Sequence, residues 1–168
     1  MRRVAFGLGA NLGDRVAALQ GAVDLLVHHL VDPVVSSVYE TAPVGGPEQP
    51  DYANAVLVGE SDAAPEQLLA AAHEAEQAWS RTRETRWGPR TLDVDVLVGG
   101  GLVSDDPVRT LPHPRAQERA FVLVPWLEAD PDAVLPDGRA VAALLAELTV
   151  EPGDVRRSTD VSLHVGAR

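Results

Sequence analysis

Two aspartates one residue apart, Asp93 and Asp95, stand in the apolar run Thr91-Leu92-Asp93-Val94-Asp95-Val96-Leu97-Val98. Successive side chains of a strand point to opposite faces, so Leu92, Val94 and Val96 would face a core while both carboxylates share the other side. Like charges placed this way repel unless a cation or an arginine neutralises them. Mg²⁺ is commonly held by one or two carboxylates, with phosphate oxygens and water completing its shell, so the pair is a candidate site for a metal-nucleotide. The plainer reading is a half-exposed strand with two solvated aspartates, and Asp-x-Asp alone is too short to decide.

Immediately upstream, Arg81, Arg83, Arg86 and Arg90 surround Trp87 in a stretch broken by Gly88-Pro89. Each guanidinium is a planar, permanently charged fork suited to two phosphate oxygens at once. The alternative is a solvated basic run, but the chain is otherwise acidic: 14 Lys+Arg against 25 Asp+Glu, a net charge of -11. Every basic residue is an arginine. Without lysine there is no Walker-A lysine and no Schiff base, so nucleotide chemistry would rest on arginine and metal. From Arg81 to Arg119 seven arginines accompany six acids, whereas the remainder has seven against nineteen. That imbalance excludes general nucleic-acid binding, which needs a basic face.

The elements that would position these groups follow from periodicity and breakers. Val4 to Leu8 reads as a short buried strand and Gly9 to Asp14 as a turn, with Asn11 and Asp14 as capping candidates. A helix is expected from Asp14 to Leu30, with Val16, Leu19, Val23, Leu26 and Leu30 on one face and Pro33 beyond its end. Val34 to Glu40 reads as a second strand, Thr41 to Asp51 as a Pro- and Gly-punctuated loop, and Tyr52 to Val58 as a third strand. In that third strand Tyr52, Asn54 and Val56 share a face, offering a stacking platform and an amide to a flat polar heterocycle, although ordinary sheet surface looks the same. Pro65 opens a second long helix with Leu68, Ala72, Ala75 and Trp79 inward, which delivers the chain to the arginine stretch. Gly99-Gly100-Gly101 turns after the fourth strand, and Val141 to Leu148 reads as a last helix. The resulting βαββαβ order is the split-βαβ pattern: an α+β, ferredoxin-like αβ plait whose antiparallel sheet has helices packed on it.

The run Arg86-Trp87-Gly88-Pro89-Arg90-Thr91-Leu92-Asp93-Val94-Asp95 closely resembles the signature of the 6-hydroxymethyl-7,8-dihydropterin pyrophosphokinases of folate biosynthesis. Tyr39 to Gly45, Gln49 to Ala55 and the two runs Leu111 to Arg115 and Arg119 to Pro125 resemble further segments of that family. The resemblance implies the same fold and the transfer of pyrophosphate from ATP to the pterin hydroxymethyl group, with AMP released. By that likeness two Mg²⁺ ions would bridge Asp93 and Asp95 to the ATP phosphates, and Arg81 and Arg90 would steady the transferring group. Glu76, Arg83, Trp87, Arg90, His113 and Arg119 would contact ATP. Thr41, Ala42 and Val44 would line the pterin pocket, Asn54 would pair with the pterin edge, and Tyr52 and Phe121 would sandwich the ring, with Trp87 closing over it. On their residues alone Glu76 reads equally as a solvated helix position and Phe121 as core. The stretch between Arg83 and Arg86 is one residue shorter than in the family, and Val108, beside Arg109, stands where some members carry an arginine; that contact stays open.

At 168 residues and 45% hydrophobic the chain is long enough for one domain with a real core. One catalytic domain is expected over residues 1–150, with 151–168 an edge strand or a disordered tail. There is no cysteine, and Met1 to Gly7 is too short an apolar run for a signal peptide. A cytoplasmic monomer acting on ATP and the pterin is expected, with no nucleic acid or membrane partner. The rival readings are another Mg-dependent phosphoryl transferase, which would not need Tyr52, Asn54 and Phe121 together, and a ferredoxin-like binding module for RNA or a small regulator. An RNA module would carry more aromatics and a basic face than this chain has.

Overall fold

The computed structural model describes residues 1–11, 14–41, 52–83, 91–99, 118–151 and 153–166, with the side chains of 81–83 and 91 outside that description. Its elements are β1 (Arg2–Asn11), α1 (Arg15–Leu26), β2 (Val31–Val35), β3 (Tyr39–Thr41), β4 (Tyr52–Ser61), α2 (Pro65–Arg83), β5 (Thr91–Gly99), α3 (Ala120–Ala129), α4 (Val141–Glu147) and β6 (Arg156–Arg157). The sheet runs β5-β1-β4-β3-β6, with β2 also on β4, and every pairing is antiparallel. This is the expected α+β plait: β1 lies between β4, the strand before α2, and β5, the strand after it.

One sheet face is packed by α1 and α2. Val4, Phe6 and Leu8 of β1, Ala55 and Leu57 of β4, and Leu92, Val94 and Val96 of β5 meet Leu19, Val23 and Leu26 of α1 and Leu68, Ala72 and Ala75 of α2. The inward face predicted for α2 is buried as expected, Trp79 included, and Pro65 is its first residue. Asp14 caps α1, its Oδ1 accepting from the Ala17 N–H at 3.1 Å, and the helix tightens into one 3₁₀ turn over Val27–His29 rather than running on to Leu30.

Among the described residues the other face is only half covered. Ala5, Val58, Leu97 and Val98 pack under Leu123 and Trp126 of α3 and Val141 and Leu144 of α4. A bulge sends β5 under these helices: Phe6 pairs with Val96 and Ala5 with Val98, so Leu97 is the extra residue and both Leu97 and Val98 face α3. Strict alternation would keep Leu97 on the carboxylates' face and put Val98 with Leu92, Val94 and Val96 on the other; the bulge brings Val98 round to join Leu97.

Two expectations are corrected. The second strand is two: β2 begins at Val31 and contains Pro33, and β3 begins only at Tyr39. Asp32 has a positive φ of 51° and the register slips between Val31 and Val34, which breaks the ladder on this exposed edge, where a proline is tolerated. Ser36 bridges the gap, its N–H donating to the Val56 carbonyl and its hydroxyl accepting from the Val56 N–H, both at 2.9 Å. Second, Gly9 to Asn11 continue β1 instead of turning, because β5 and β4 both pair with them. The segment after Arg119, to which no element was assigned from the sequence, is a helix with Pro125 inside it.

The tail closes the far margin of the sheet. Its strand lies at Arg156–Arg157, ahead of the alternating Val161 to Val165 stretch, and Leu163 is buried against the α1 side, a burial worth about 2 kcal/mol. A polar network locks this margin to α3: the Glu128 carboxylate accepts from the Ser37 N–H (3.0 Å), the Ser37 hydroxyl (2.7 Å) and the Tyr39 hydroxyl (2.8 Å), and Arg157 Nε donates to Ser37 Oγ at 3.1 Å. Burial, then Glu128, pushes the Tyr39 hydroxyl up to about 12. Partial burial would raise Glu128, but its hydrogen bonds and Arg157 outweigh that and hold the carboxyl below its usual range. Among the described residues no helix is long and apolar enough to cross a membrane.

Replacing Glu128 by Gln is expected to lower stability at pH 7 by about 1 kcal/mol in chemical denaturation, the size of a lost charge-assisted bond. A carboxyl with a depressed folded pKa stabilises above its unfolded pKa and loses that contribution as pH falls through the folded value. The gap between wild type and Glu128→Gln should therefore close below the ordinary glutamate range; a gap constant with pH would mean the carboxylate charge is not what holds the margin.

Candidate active site

On the half of the second sheet face that no described helix covers lies a cavity of about 700 Å³, a size suited to a small molecule. Its floor is laid by strand register. Gly9 of β1 lies between Asp93 of β5 and Asn54 of β4, and Gly7 lies between Asp95 and Val56. Two strand spacings put the carboxylate strand and the amide strand roughly 10 Å apart. The strand between them carries no side chain on this face. A Cβ on Gly9 would sit 3.4 Å from Asn54 Oδ1, and one on Gly7 3.1 Å from Leu97 Cδ2. The glycines are thus what leaves the floor open from the aspartates to the amide. They were not singled out from the sequence, although Gly-Leu-Gly within an apolar strand is the signature of one bare face.

At the amide end, Thr41, Tyr52 and Asn54 line the cavity, and Thr41 pairs with Tyr52 across β3 and β4. Asn54 is buried, and its Nδ2 donates to Thr41 Oγ1 at 3.1 Å, which fixes the amide with Oδ1 toward the Gly9 side. The roof is the start of α3: Arg119, Ala120, Phe121 and Val122 line the cavity, and the Arg119 guanidinium lies 5.6 Å from the Phe121 ring centroid. The positive end of the α3 dipole therefore opens beside Arg119, which favours an anion there.

At the other end, burial first and then the charge of Asp95 push the Asp93 carboxyl above its usual range. Among the described residues no group of three metal-ligating side chains occurs. Two carboxylates on an open floor nevertheless fit Mg²⁺, a cation that keeps water and phosphate oxygens in its shell. Glu76 is placed differently from the cavity residues. It stands on α2 at the outer edge of β5, where its Oε2 accepts from the Val94 N–H at 2.8 Å, the amide between the two aspartates. Burial, with smaller contributions from Asp93 and Asp95 and against the pull of the Val94 bond, raises the Glu76 carboxyl. It supports the strand from behind rather than lining the cavity.

The structure thus gathers Thr41, Tyr52, Asn54, Asp93, Asp95, Arg119 and Phe121 round one space. Arg81 and Arg83 occupy the last turn of α2. Ala42, Val44, Arg86, Trp87, Arg90 and His113 lie outside the described residues. Gly153, Asp154 and Val155 also line the cavity, and nothing local in the sequence announces them.

The family model of 7,8-dihydro-6-hydroxymethylpterin-pyrophosphokinase (HPPK) matches residues 5–131. The chain belongs to this family. The 2-amino-4-hydroxy-6-hydroxymethyldihydropteridine pyrophosphokinase of Mycobacterium tuberculosis is 42% identical, over 92% of this chain and 87% of that one. Its counterpart from Mycobacterium leprae is 44% identical, over 98% and 93%, and that from Pseudomonas aeruginosa 39%, over 90% and 94%. Among solved structures, an HPPK-DHPS in complex with substrates superposes with a TM-score of 0.65 at 10% identity, covering 86% of this chain and 42% of that one. A Plasmodium falciparum HPPK-DHPS triple mutant with pteroate gives 0.65 at 13%, over 86% and 43%. At such identities the likeness shows the fold, and this chain spans under half the length of those proteins. The HPPK reaction is pyrophosphoryl transfer to the hydroxymethyldihydropterin in folate biosynthesis.

Two variants test the floor and its charges. Gly9→Leu should fold yet fill the floor, raising KM for the pterin at least about tenfold, while Gly9→Ala stays within a few-fold, since one methyl only touches Asn54. Equal effects of Leu and Ala would mean that space is not what the glycine supplies. Asp93→Asn should raise the melting temperature at pH 7 by roughly 1–3 °C, because it removes a carboxylate whose ionised form the fold disfavours. A raised folded pKa destabilises above that value and not below the unfolded one, so the gain should vanish at acid pH where aspartates are protonated in both states.

Proposed function

We propose that the half-covered sheet face is where pyrophosphate passes from ATP to the hydroxymethyl group of 6-hydroxymethyl-7,8-dihydropterin, with AMP released. The observation that carries the reading is one cavity that holds two aspartates, an arginine at a helix N-terminus, and a Tyr, Asn and Phe set. The heterocycle lies at the amide end, between the Tyr52 and Phe121 rings, with Asn54 accepting from its edge and Thr41 holding the amide in place. Ala42 and Val44, supported by the family resemblance, complete that pocket. The hydroxymethyl arm then points along the glycine floor toward β5.

Asp93 and Asp95 hold Mg²⁺, two ions in this reading, together with the ATP phosphates. When bound there, Mg²⁺ would supply positive charge against the phosphate oxygens and offset the charge that develops on AMP. Arg119 and the α3 N-terminus bind phosphate oxygens from the roof. Arg81 and Arg90 steady the transferring group, Arg83 and His113 contact ATP, and Trp87 closes over both substrates and excludes water; family membership supports these roles. Glu76, a candidate ATP contact from sequence, keeps the aspartate strand at a fixed height through the Val94 amide. Residues 1–150 carry the catalytic groups, residues 153–155 complete the cavity lining, and the protein acts as a cytoplasmic monomer on two small molecules.

The test is nucleotide analysis after incubation with Mg-ATP and the pterin, with controls lacking pterin or metal. AMP should form in step with pterin pyrophosphate only when all components are present; ADP would mean transfer of a single phosphoryl group. Asp95→Ala should lower turnover roughly 10²–10³-fold, the scale for removing one element of transition-state charge stabilisation, with pterin affinity within about twofold. Wild-type turnover in that variant would remove the metal role from Asp95.

A further inference from the structure

We propose that Gly153–Val155 is a wall of the heterocycle end of the pocket, and that the residues after it form a strap that holds this wall in place. The inference rests on the assignment of the pterin to the Thr41 and Asn54 end. The three residues line the cavity, and they lie beyond the stretch that the family model matches.

Register places them. β6 pairs Arg157 with Tyr39 and Arg156 with Glu40, so one step further sets Val155 opposite Thr41, whose hydroxyl anchors the Asn54 amide. In the order β5-β1-β4-β3-β6 the aspartates and the strap occupy opposite margins of the sheet. Val155 therefore stands at the amide end and away from the phosphate end. The chain reaches this rim through Gly153, whose φ of +90° a side chain would strain, and through a closed turn. In that turn Asp154 N–H donates to the Glu151 carbonyl at 3.0 Å, and Asp154 Oδ2 accepts from the Glu151 N–H at 2.8 Å.

The strap is fastened on both sides of the sheet. Ser158 N–H donates to the Val38 carbonyl at 2.8 Å, and Arg157 reaches Ser37. Beyond the margin Leu163 enters the core beneath α1, and His164 and Gln20 exchange two hydrogen bonds, N–H to Oε1 at 3.0 Å and Nε2–H to carbonyl at 2.8 Å. A segment tied at both ends is a fixed wall. What it offers the ligand is backbone and the partly buried alkyl side chain of Val155, beside an acidic residue whose carboxylate is already bonded. That surface suits an uncharged flat ring and disfavours a triphosphate.

The test is steady-state kinetics of the full-length chain and of Val155→Arg, with KM determined separately for 6-hydroxymethyl-7,8-dihydropterin and for Mg-ATP, AMP being measured. The variant should raise KM for the pterin about tenfold or more and leave KM for ATP within about twofold. An unchanged pterin KM, or an equal rise in both constants, overturns the proposal. Hydrogen exchange on the wild type decides independently of how the variant folds: saturating pterin should slow exchange in a peptide spanning 153–158, and a nucleotide analogue alone should not. No slowing by the pterin overturns the wall. Absence of AMP formation by the wild type would instead overturn the assigned reaction, which separates the two failures.

Discussion

Asp93 and Asp95 carry like charge on one face of an edge strand, roughly 7 Å apart along the chain. At an effective dielectric of 20 their repulsion is about 2 kcal/mol, a real fraction of a domain's net stability. The strand keeps them there because its other face holds Leu92, Val94 and Val96 in the helix-side core. Turning β5 over would expose three buried side chains at about 2 kcal/mol each, roughly three times the repulsion. Burial wins, so the carboxylates stay together, and Glu76 fixes the amide between them from the strand's outer edge. The two like charges are thus held side by side by packing elsewhere.

The same division runs through the whole sheet. Its α1 and α2 face is apolar from one margin to the other, while among the described residues the opposite face is covered only where α3 and α4 reach. The bulge at Leu97 marks the boundary, since beyond it β5 turns two consecutive apolar residues toward α3. On the open side of that boundary, Gly7 and Gly9 keep the central strand bare between aspartate and amide. A binding floor in a sheet this small requires that side chains be absent, and glycine provides the bare face at a cost to strand stability that the pairing on both sides offsets.

Much of this was legible in the sequence because it depends on local period. The alternation in Thr91 to Val98 gives the shared face of Asp93 and Asp95, the alternation in Tyr52 to Val56 gives that of Tyr52 and Asn54, and helical spacing gives the buried face of α2. Those strands and helices also fix the order of the plait. What period does not carry is pairing at a distance. The break between β2 and β3 follows from Asp32 at positive φ and from Ser36 replacing a ladder bond to Val56, neither of which alters the apolar pattern of Val34 to Glu40. The helix after Arg119 contains Pro125, a residue that argues against helix from sequence alone, yet Leu123 and Trp126 bury enough surface to hold it. β6 is two arginines long and pairs across more than a hundred residues, so only the register with Tyr39 and Glu40 reveals it.

The two sides of the molecule are also held by different physics. The helix side is tight apolar packing, with Phe6, Leu19, Leu26, Leu57 and Leu68 all essentially inaccessible to water. The margin beside the cavity is held chiefly by polar contacts that converge on Glu128, itself on the last turn of the helix whose first turn supplies Arg119 and Phe121. Charge-assisted bonds near solvent weaken with salt and acid, whereas apolar packing is weakened by neither screening nor protonation. The wall and roof of the site can therefore loosen while the plait stays folded, because the contacts that position Phe121 and Val155 are not the contacts that keep β1, β4 and β5 together.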